Sequence, residues 1–366
     1  MKKNEYMKRA IRLARKGTGS VHPNPLVGAV IVKNDTIIGE GYHAMFGGPH
    51  AEIIALSQIS PDDAKYSSLY VTLEPCAHQG KTPPCTDAII RAGIKKVVIG
   101  IEDPNPLVAG KGILLLKSAG IEVECGIMKT ECKNLNEAFF KYIQQKQPYI
   151  TLKIAQTLDG KIAAANGLSR WITNESSRKK VHRLRAEHDA VLVGVNTVIQ
   201  DDPDLSVRHI RGKHGIRIIL DSALRVPLES RVLKNQNIQK TVIATTNRAE
   251  SEKTNLIKKK GAEIWILREN AGGGILLSDL WNRMIEEGII SVLIEGGREV
   301  FTSVLKSGVA DRLVVFTAPK LFGTGIGSIG DLGIQKPSDA LQFESVQWRS
   351  SGSDMMFDGR LACLPD

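Results

Sequence analysis

The feature that most constrains the fold is a set of metal-binding side chains carried by three separate segments. His50-Ala51-Glu52 is followed by Pro75-Cys76 and then by Cys85. One histidine and two cysteines form a ligand set for zinc, and a catalytic zinc takes three protein ligands and keeps a fourth position for water. Folding must therefore bring these segments to one point, with Glu52 beside it as a carboxylate that is not a ligand.

The order of these residues is typical of zinc-dependent base deaminases, in which H-x-E precedes P-C and a second cysteine. In such a site the zinc lowers the pKa of a bound water and the glutamate moves protons. We interpret residues 68–73 as a buried strand, residues 74–76 as a turn into a helix start, and residues 53–56 as part of another helix. A helix N-terminus favours thiolate over thiol, so two helix starts facing each other are predicted to hold the metal.

A structural zinc site is one alternative, and a lone buried histidine with two unconnected cysteines is another. A structural site is normally closed by four ligands, and no fourth ligand stands at finger or ribbon spacing, although His78 could supply one. The glutamate and the proline lie where the deaminase pattern needs them, which favours a catalytic site.

The loop between the two cysteines, residues 77–84, is longer than the two residues that most such deaminases have there. Its His78, Lys81 and Thr82 could hydrogen-bond a polar heterocycle or meet a phosphate. A plain solvated loop is the alternative.

Length, composition and charge predict the number of domains, the cell compartment and the kind of binding partner. A chain of 366 residues predicts two domains, and 42% hydrophobic with 24% charged residues is ordinary for a soluble globular protein. The sequence has no apolar run long enough to cross a bilayer, no signal-peptide core and no disulfide framework among its five cysteines. These observations predict a cytoplasmic protein. The net charge of +10 suggests an anionic partner, which phosphate-bearing small molecules satisfy as well as nucleic acid does.

The first half alternates helices and strands, which predicts a sheet covered on both faces. It starts with an amphipathic helix over residues 6–15 and a hairpin that turns at Asn34-Asp35. A polar helix over residues 134–147 ends at Pro148. We place the boundary there, which gives one domain over residues 1–146 and another over residues 147–366.

A second sheet begins with an alternating strand over residues 149–155, and a basic amphipathic helix follows at residues 175–188. Further strands are predicted at residues 190–195, 216–221, 241–245, 264–267, 289–295 and 313–318, with helical segments between several of them.

A second site is predicted where a buried strand meets the Gly296-Gly297 turn and a helix start. Glycines let a phosphate approach the backbone, and free N–H groups at a helix terminus bind it. Polar clusters at residues 157–161, at 169–172, and at 194–197 with 201–208 also follow apolar strands. Each alone is an ordinary turn, but together they indicate a nucleotide cleft.

The chain resembles the bifunctional riboflavin-biosynthesis deaminase/reductase family over almost its whole length. In the first half the resemblance rests on the motifs at residues 23–28, 50–52 and 75–85, including the long cysteine loop. In the second half it rests on the motifs at residues 158–163, 169–173, 201–203 and 295–297. The resemblance implies a cytidine-deaminase-like α/β/α domain followed by a dihydrofolate-reductase-like α/β domain that uses NADPH.

Two consecutive steps are implied. The first is zinc-dependent hydrolytic deamination of 2,5-diamino-6-(5-phosphoribosylamino)pyrimidin-4-one, and the second is reduction of the phosphoribosyl side chain of the uracil product to phosphoribityl. We therefore expect a phosphorylated pyrimidine as the partner, no nucleic-acid or membrane partner, and a homo-oligomer.

Residue roles follow from the matched motifs. His50, Cys76 and Cys85 would hold one zinc and Glu52 would shuttle protons, while Asn24, His78, Lys81 and Thr82 would contact the pyrimidine or its phosphate. NADPH would lie against Ala155, Trp171, Thr197, Asp201, Gly296 and Gly297. The second substrate would face Ser169, Arg185, Leu205, Arg208 and Glu295. Lys153, placed at the end of the first strand of the second half, would orient the sugar or deliver a proton; a lysine stem covering apolar surface is its alternative.

Two rival functions remain from the sequence. A nucleic-acid base deaminase would need an aromatic-lined strand channel, whereas aromatic residues make up only 5% of the chain. A non-catalytic protein with a structural zinc would have no use for Glu52.

Overall fold

Apolar strands alternate with helices along the chain, and they fold into the α/β class that the sequence predicts. The structure of the protein is a computed structural model that describes residues 2–77, 83–106, 108–210 and 212–362. The chain divides into two units, Met1–Lys146 and Gln147–Asp366, which we call the first unit and the second unit. No helix in the described ranges is long and apolar enough to cross a membrane.

The first unit contains, in chain order, α1 (Lys2–Ala14), a 3-10 turn (Arg15–Gly17), β1 (Gly28–Lys33), β2 (Thr36–Tyr42), α2 (Ala51–Leu56), α3 (Pro61–Ala64), β3 (Ser68–Leu73), α4 (Cys85–Arg91), β4 (Lys96–Ile101), α5 (Lys111–Ser118), β5 (Glu122–Cys125), α6 (Lys129–Leu135) and α7 (Glu137–Gln145). Its sheet has the order β2-β1-β3-β4-β5. Strand β1 is antiparallel to β2 and β3, whereas β3, β4 and β5 are parallel.

Successive strand residues of this sheet point to opposite cores, as the pleat requires. Val30 and Val98 pack with α1, α6 and α7 on one face. Ala29 and Val97 pack with α2, α4 and α5 on the other. The first unit is therefore an α/β/α sandwich.

Gly28 explains why α1 lies close to the sheet. A Cβ at this position would lie 2.0 Å from the carbonyl oxygen of Ala10, so any side chain would push the helix away. The glycine that ends the motif at residues 23–28 is thus required for packing.

Two helices differ from the sequence prediction. Helix α1 starts at Lys2 rather than at residue 6, and the helix predicted over residues 134–147 is two helices that meet at Asn136. The buried amide of Asn136 accepts from Leu26 N at 2.7 Å and donates to Leu26 O at 2.9 Å. This pairing ties the helix junction to the segment before β1.

The second unit contains β6 (Tyr149–Thr157), β7 (Lys161–Ala164), α8 (Glu175–Glu187), β8 (Ala190–Gly194), α9 (Val195–Asp201), β9 (Ile216–Leu220), a 3-10 turn (Arg231–Leu233), β10 (Thr241–Thr245), α10 (Ser251–Lys259), β11 (Glu263–Ile266), α11 (Leu277–Glu286), β12 (Ser291–Gly296), α12 (Arg298–Lys306), β13 (Arg312–Ala318), β14 (Gly325–Gly327), a 3-10 turn (Pro337–Asp339), β15 (Phe343–Ser351) and β16 (Asp354–Leu361). The order of its large sheet is β11-β10-β9-β8-β12-β6-β13-β16-β15, and β7 pairs with β14. The strands from β11 to β13 are parallel, while β16 and β15 are added antiparallel.

Helices cover both faces of the parallel part of this sheet. Helices α11 and α12 pack on one face with residues such as Leu152 and Ile294, while α9 and α10 pack on the other with Val193 and Ile243. Helix α8 starts after Asn174, whose side chain accepts from Ser177 N at 3.0 Å and caps the helix.

Two features of the second unit were not predicted. Strand β6 continues to Thr157, so Lys153 lies inside the strand and the prediction that it ends the strand is wrong. The hairpin formed by β15 and β16 was missed, because β15 at the sheet edge is mostly exposed and lacks a buried apolar run.

Two candidate active sites

The first site lies in the first unit, where the three predicted metal ligands come together. His50 precedes α2 as its N-cap, Cys76 follows β3, and Cys85 is the first residue of α4. His50 Nδ1 is 3.1 Å from Cys85 Sγ and 3.6 Å from Cys76 Sγ, and the ligand atoms of the group all lie within 4.8 Å of one another. Zinc bonds to nitrogen and sulfur at about 2.0–2.3 Å, so these separations and this donor set fit one zinc ion.

The prediction that residues 74–76 turn into a helix start is wrong. Residues 74–77 are not helical, and the helix begins only at Cys85. The buried carboxylate of Glu74 instead accepts the backbone N–H groups of Asp103, Gly110 and Ile113 at 3.3, 3.0 and 3.2 Å. Glu74 therefore ties the segment that carries Cys76 to the region around α5.

The surroundings of Cys76 favour its thiolate. Hydrogen bonds from Cys85 and His50 hold the pKa of the Cys76 thiol well below its ordinary value, in spite of burial. The backbone N–H of Cys85 also donates to Cys76 Sγ at 3.3 Å. A thiolate is the form that binds metal.

Glu52 lies in the first turn of α2 and is only 3% exposed. Burial, with the nearby Cys76 charge, raises the pKa of Glu52 to about 7. A carboxyl group with such a pKa both accepts and donates a proton at neutral pH, as a general acid–base requires.

A cavity of about 290 Å³, which we call the metal cavity, opens beside these residues. Asn24, predicted to contact the substrate, lines this cavity, and so does His43, which the sequence reasoning missed. His43 Nδ1 lies 3.0 Å from Pro49 O, which only accepts, so Nδ1 carries the proton and Nε2 accepts from Asn24 Nδ2 at 3.2 Å. Burial lowers the pKa of His43, which keeps the ring neutral. The available signal was a polar residue directly after strand β2.

His78, Lys81 and Thr82, which were predicted to contact substrate, lie outside the described residues.

The second site is a cleft of about 450 Å³ in the second unit, which we call the cleft. All twelve residues predicted for the second site line it: Lys153, Ala155, Ser169, Trp171, Arg185, Thr197, Asp201, Leu205, Arg208, Glu295, Gly296 and Gly297. Most stand at or after the carboxyl ends of parallel strands, where ligand sites of such sheets gather. The structure thus brings together the residues that the sequence assigned to the second site.

Glu295 organises the charges at the base of the cleft. Its carboxylate accepts from Arg185 Nε at 2.5 Å and Arg185 Nη2 at 2.9 Å, and it lies 3.1 Å from Lys153 Nζ. Burial alone would raise the pKa of Glu295, but the positive charges and hydrogen bonds of Arg185 and Lys153 lower it to about 2. Glu295 is therefore a permanent anion that fixes the positions of both cations.

The glycine turn gives room for a phosphate. Strand β12 ends at Gly296 and α12 starts at Arg298, with Gly297 as its N-cap. A Cβ would lie 3.0 Å from Thr197 Oγ1 at Gly296 and 3.4 Å from it at Gly297. The absence of side chains here leaves a cradle beside a helix start, which fits the phosphates of a dinucleotide.

The rim of the cleft is held by a second set of polar contacts. Ser169 Oγ donates to Asp201 Oδ1 at 2.7 Å, and Arg170 donates to Asp201 O. The Trp171 side chain is 65% exposed, with the Arg178 guanidinium 4.7 Å from its ring centre. An exposed indole at a rim offers a flat surface for a ring to stack on.

The sequence reasoning missed several basic residues that line the cleft, among them Arg178, His182 and Arg231. Burial, together with Arg185 and Arg208, lowers the pKa of His182 to about 4. Arg178 and His182 stand on the basic helix α8, whose amphipathic pattern was the only available signal.

Both units of the chain match known protein families. The model of the cytidine and deoxycytidylate deaminase zinc-binding region matches residues 1–101, and the RibD C-terminal domain model matches residues 148–357. The riboflavin biosynthesis protein RibD of Aquifex aeolicus is 51% identical over 352 residues, covering 96% of each chain. That of Escherichia coli is 39% identical over 97% of this chain and 98% of its own.

Two solved structures are similar to this chain over nearly its whole length. Acinetobacter baumannii RibD superimposes with a TM-score of 0.88 at 36% identity, covering 99% of both chains. A diaminohydroxyphosphoribosylaminopyrimidine deaminase/5-amino-6-(5-phosphoribosylamino)uracil reductase from Thermotoga maritima gives 0.85 at 38% identity, again over 99% of both.

The fold and the two sites define a bifunctional enzyme that joins a zinc-dependent deaminase to a reductase. The chain belongs to the riboflavin biosynthesis protein RibD family, and its first unit contains the zinc-binding deaminase region. The expected family, α/β fold and bifunctional activity are confirmed.

Proposed function

We propose that residues 1–146 deaminate 2,5-diamino-6-(5-phosphoribosylamino)pyrimidin-4-one to the corresponding uracil. Residues 147–366 then reduce the phosphoribosyl chain of that product to phosphoribityl with NADPH. The observation that carries the proposal is the presence, in one chain, of a three-ligand metal group beside a buried carboxyl and of a basic cleft that ends in a glycine cradle.

In the first unit, His50, Cys76 and Cys85 would hold zinc, which when bound would supply a water that ionises near neutral pH. Glu52 takes a proton from the attacking water and passes it to the amino group that leaves as ammonia. Its pKa of about 7 suits both transfers.

Substrate binding in the metal cavity falls to residues around its opening. Because Asn24 donates through Nδ2 to His43, its Oδ1 is placed to accept from an amino or ring N–H group of the pyrimidine. We keep His78, Lys81 and Thr82 as ligands of the pyrimidine or the phosphate, on the strength of the motif alone.

In the second unit, NADPH, when bound, would supply the hydride that reduces C1 of the sugar. Ala155, Trp171, Thr197, Asp201 and the turn from Gly296 to Gly297 contact NADPH, and Ser169, Arg185, Leu205, Arg208 and Glu295 face the substrate. Glu295 and Arg185 do so as a bonded pair rather than as separate contacts.

Opening the sugar ring and reducing C1 adds a proton as well as a hydride. The Lys153 side chain starts inside β6, and its Nζ lies 3.1 Å from the Glu295 carboxylate. That pairing gives Lys153 one orientation, which a stem merely covering apolar surface would not need.

We further propose that the enzyme is cytoplasmic and works as a homo-oligomer. Strand β15 is the outer strand of the large sheet, and Val346, Trp348 and Met355 on its hairpin are 44, 63 and 46% exposed. Exposed apolar side chains at a sheet edge favour pairing with a second copy.

A coupled assay tests the two-step proposal. NADPH oxidation, followed by absorbance, should start at once with the aminouracil product but only after a lag with the diaminopyrimidine. Zinc chelation should abolish NADPH oxidation with the diaminopyrimidine and leave NADPH oxidation with the aminouracil unchanged. Immediate oxidation with the diaminopyrimidine by chelated enzyme would contradict the order of steps.

The domain assignment has its own test. Residues 147–366 expressed alone should fold and bind NADPH, which quenching of tryptophan fluorescence would report. An unfolded fragment at concentrations where the full chain is stable would contradict the proposed boundary.

A further inference from the structure

The segment Asp201-Asp202-Pro203-Asp204 has two carboxylates that the reductase chemistry above does not use. Asp202 Oδ1 accepts the backbone N–H of Arg231 at 2.8 Å. The Asp204 carboxylate lies near the guanidinium groups of Arg208, Arg217 and Arg231. With Asp202 and Asp204 both counted against these three guanidinium groups, one positive charge remains in excess.

Two of these arginines face the cleft. Arg208 Nη1 is 3.8 Å and Arg231 Nη2 is 4.0 Å from the same oxygen, Asp204 Oδ2. Both distances exceed a hydrogen bond, both side chains are nearly half exposed, and both residues line the cleft. Their head groups are therefore held near Asp204 while their donors stay available to a ligand.

The third arginine is an anchor. The Arg217 side chain is 1% exposed on β9, and its donors bond to the backbone oxygens of Asp204, Lys234 and Gln239 at 3.4, 3.0 and 2.5 Å. Arg217 thus fixes the backbone of Asp204, and Asp202 fixes that of Arg231.

The spacing suits a phosphate. Arg208 Nη1 and Arg231 Nη2 both approach Asp204 Oδ2, at 3.8 and 4.0 Å. The distance between these two nitrogens therefore cannot exceed the sum of those two distances. A phosphate that accepts one charge-assisted hydrogen bond on each of two oxygens spans up to roughly 8 Å between the donor nitrogens, so one phosphate can reach both arginines. The planar guanidinium fork also matches phosphate geometry better than an ammonium does.

The position identifies which phosphate. Arg185, which binds Glu295, also donates to Ser206 O at 2.9 Å, so the Asp204–Arg208 segment is tied to the reaction centre around Lys153. The phosphate of a phosphoribosyl substrate lies on the same sugar whose C1 is reduced. The glycine turn, where a Cβ would crowd Thr197, is the cradle proposed above for the NADPH pyrophosphate.

We propose that Arg231 is a second arginine ligand of the substrate's sugar phosphate, opposite Arg208, and that Asp204 and Arg217 are positioning residues that set the spacing of the pair. The inference rests on the proposed reductase function of the cleft.

Arg231→Gln tests the proposal in the full-length, zinc-loaded enzyme. The KM for the phosphorylated aminouracil should rise roughly 10- to 100-fold, with a smaller change in kcat, because a charged hydrogen bond to a dianion is lost. Ribose 5-phosphate should inhibit the variant correspondingly less well than it inhibits the wild type. Arg231→Lys should recover part of the loss, since lysine keeps the charge without the fork.

Two controls show whether Arg231 recognises the phosphate itself. The dephosphorylated riboside should be reduced equally poorly by wild type and Arg231→Gln, and NADPH affinity measured by fluorescence should be unchanged. Arg248→Gln, which alters an arginine paired with Glu269 at 3.1 Å, should behave like wild type.

An equal loss on the dephosphorylated riboside, or a weakened NADPH affinity, would overturn the role of Arg231. A normal KM of Arg231→Gln for the phosphorylated substrate would overturn it too, provided that the wild-type enzyme reduces this substrate. Failure of the wild-type enzyme to reduce the aminouracil at all would instead contradict the proposed function of the cleft.

Discussion

Two buried glutamates, one in each site, have opposite acid–base properties. Burial acts to raise the pKa of each carboxyl group. In Glu52 the effect of burial dominates, and the pKa rises to about 7. In Glu295 the charges of Arg185 and Lys153 outweigh burial and the pKa falls to about 2. The same side chain is thus a proton carrier in one unit and a fixed anion in the other, and the neighbouring cations decide which.

The difference in pKa indicates that Glu52 takes part in proton transfer, whereas Glu295 positions other side chains. A group that titrates near pH 7 exchanges protons with substrate, whereas a group ionised at every physiological pH holds other groups in place. Removing the carboxylate should therefore cost mainly rate at Glu52 and both rate and stability at Glu295.

The largest expected effect comes from Glu52→Gln. Loss of the proton carrier should lower the rate of deamination by roughly 10²- to 10⁴-fold. Zinc content by elemental analysis, thermal stability and reduction of the aminouracil should stay as in wild type, because the amide keeps the size of the side chain without a buried charge. Normal deamination by a zinc-replete variant would remove Glu52 from the mechanism.

The contrasting variant is Glu295→Gln. It leaves Arg185 and Lys153 buried beside a neutral amide, so the second unit should lose about 3–5 kcal/mol of its free energy of unfolding. Reduction should fall with it, and deamination should persist. Urea denaturation would measure the loss, with Glu229→Gln as the control.

Glu229 pairs with Lys260 at 3.1 Å on the surface, where its carboxylate is 83% exposed. Its loss should cost less than about 1 kcal/mol. Similar losses in the two variants would show that Glu295 is not a structural anion.

A smaller effect is expected at the cradle. In Gly297→Ala the new Cβ would stand 3.4 Å from Thr197 Oγ1, an ordinary contact, so the fold should tolerate it. The methyl group should nevertheless stand where a cofactor phosphate approaches, and we expect the Kd for NADPH to rise roughly tenfold, which is about 1.4 kcal/mol. Unchanged NADPH affinity in fluorescence titration would refute the cradle, and deamination serves as the control for folding.

The elements predicted best are those decided by local pattern. Residues 68–73 and 241–245 are buried runs between turn signals, and the structure has strands over these residues. The Asn34-Asp35 turn is likewise local, since both residues adopt the positive φ that a tight hairpin requires.

The features that sequence reasoning missed depend on partners far away in the chain. The helix break at Asn136 is stabilised by Leu26, and the pairing of Arg185 with Glu295 joins residues 110 apart. Motif spacing indicated which residues gather at each site, but it could not show that Arg185 and Glu295 neutralise each other. Neither His43 nor Arg231 belongs to a motif, and their places in the two sites were seen only in the folded chain.

The last prediction concerns His182, the titratable ring at the wall of the cleft. It faces Arg185, Arg208, His209 and Glu295, and burial with the arginine charges lowers its pKa from 6.5 to about 4. Because the unfolded chain binds the proton more readily than the folded chain does, His182 destabilises the second unit as pH falls from 6.5 towards 4.

Between pH 7 and pH 5 this linkage should cost roughly 1–2 kcal/mol in the wild type. His182→Gln has no such proton to bind, so its Tm should fall less over the same interval, by a few degrees. Parallel Tm–pH curves for the two proteins would show that His182 takes up its proton equally in the folded and unfolded states. The cleft would then be more open to water at this wall than its burial indicates.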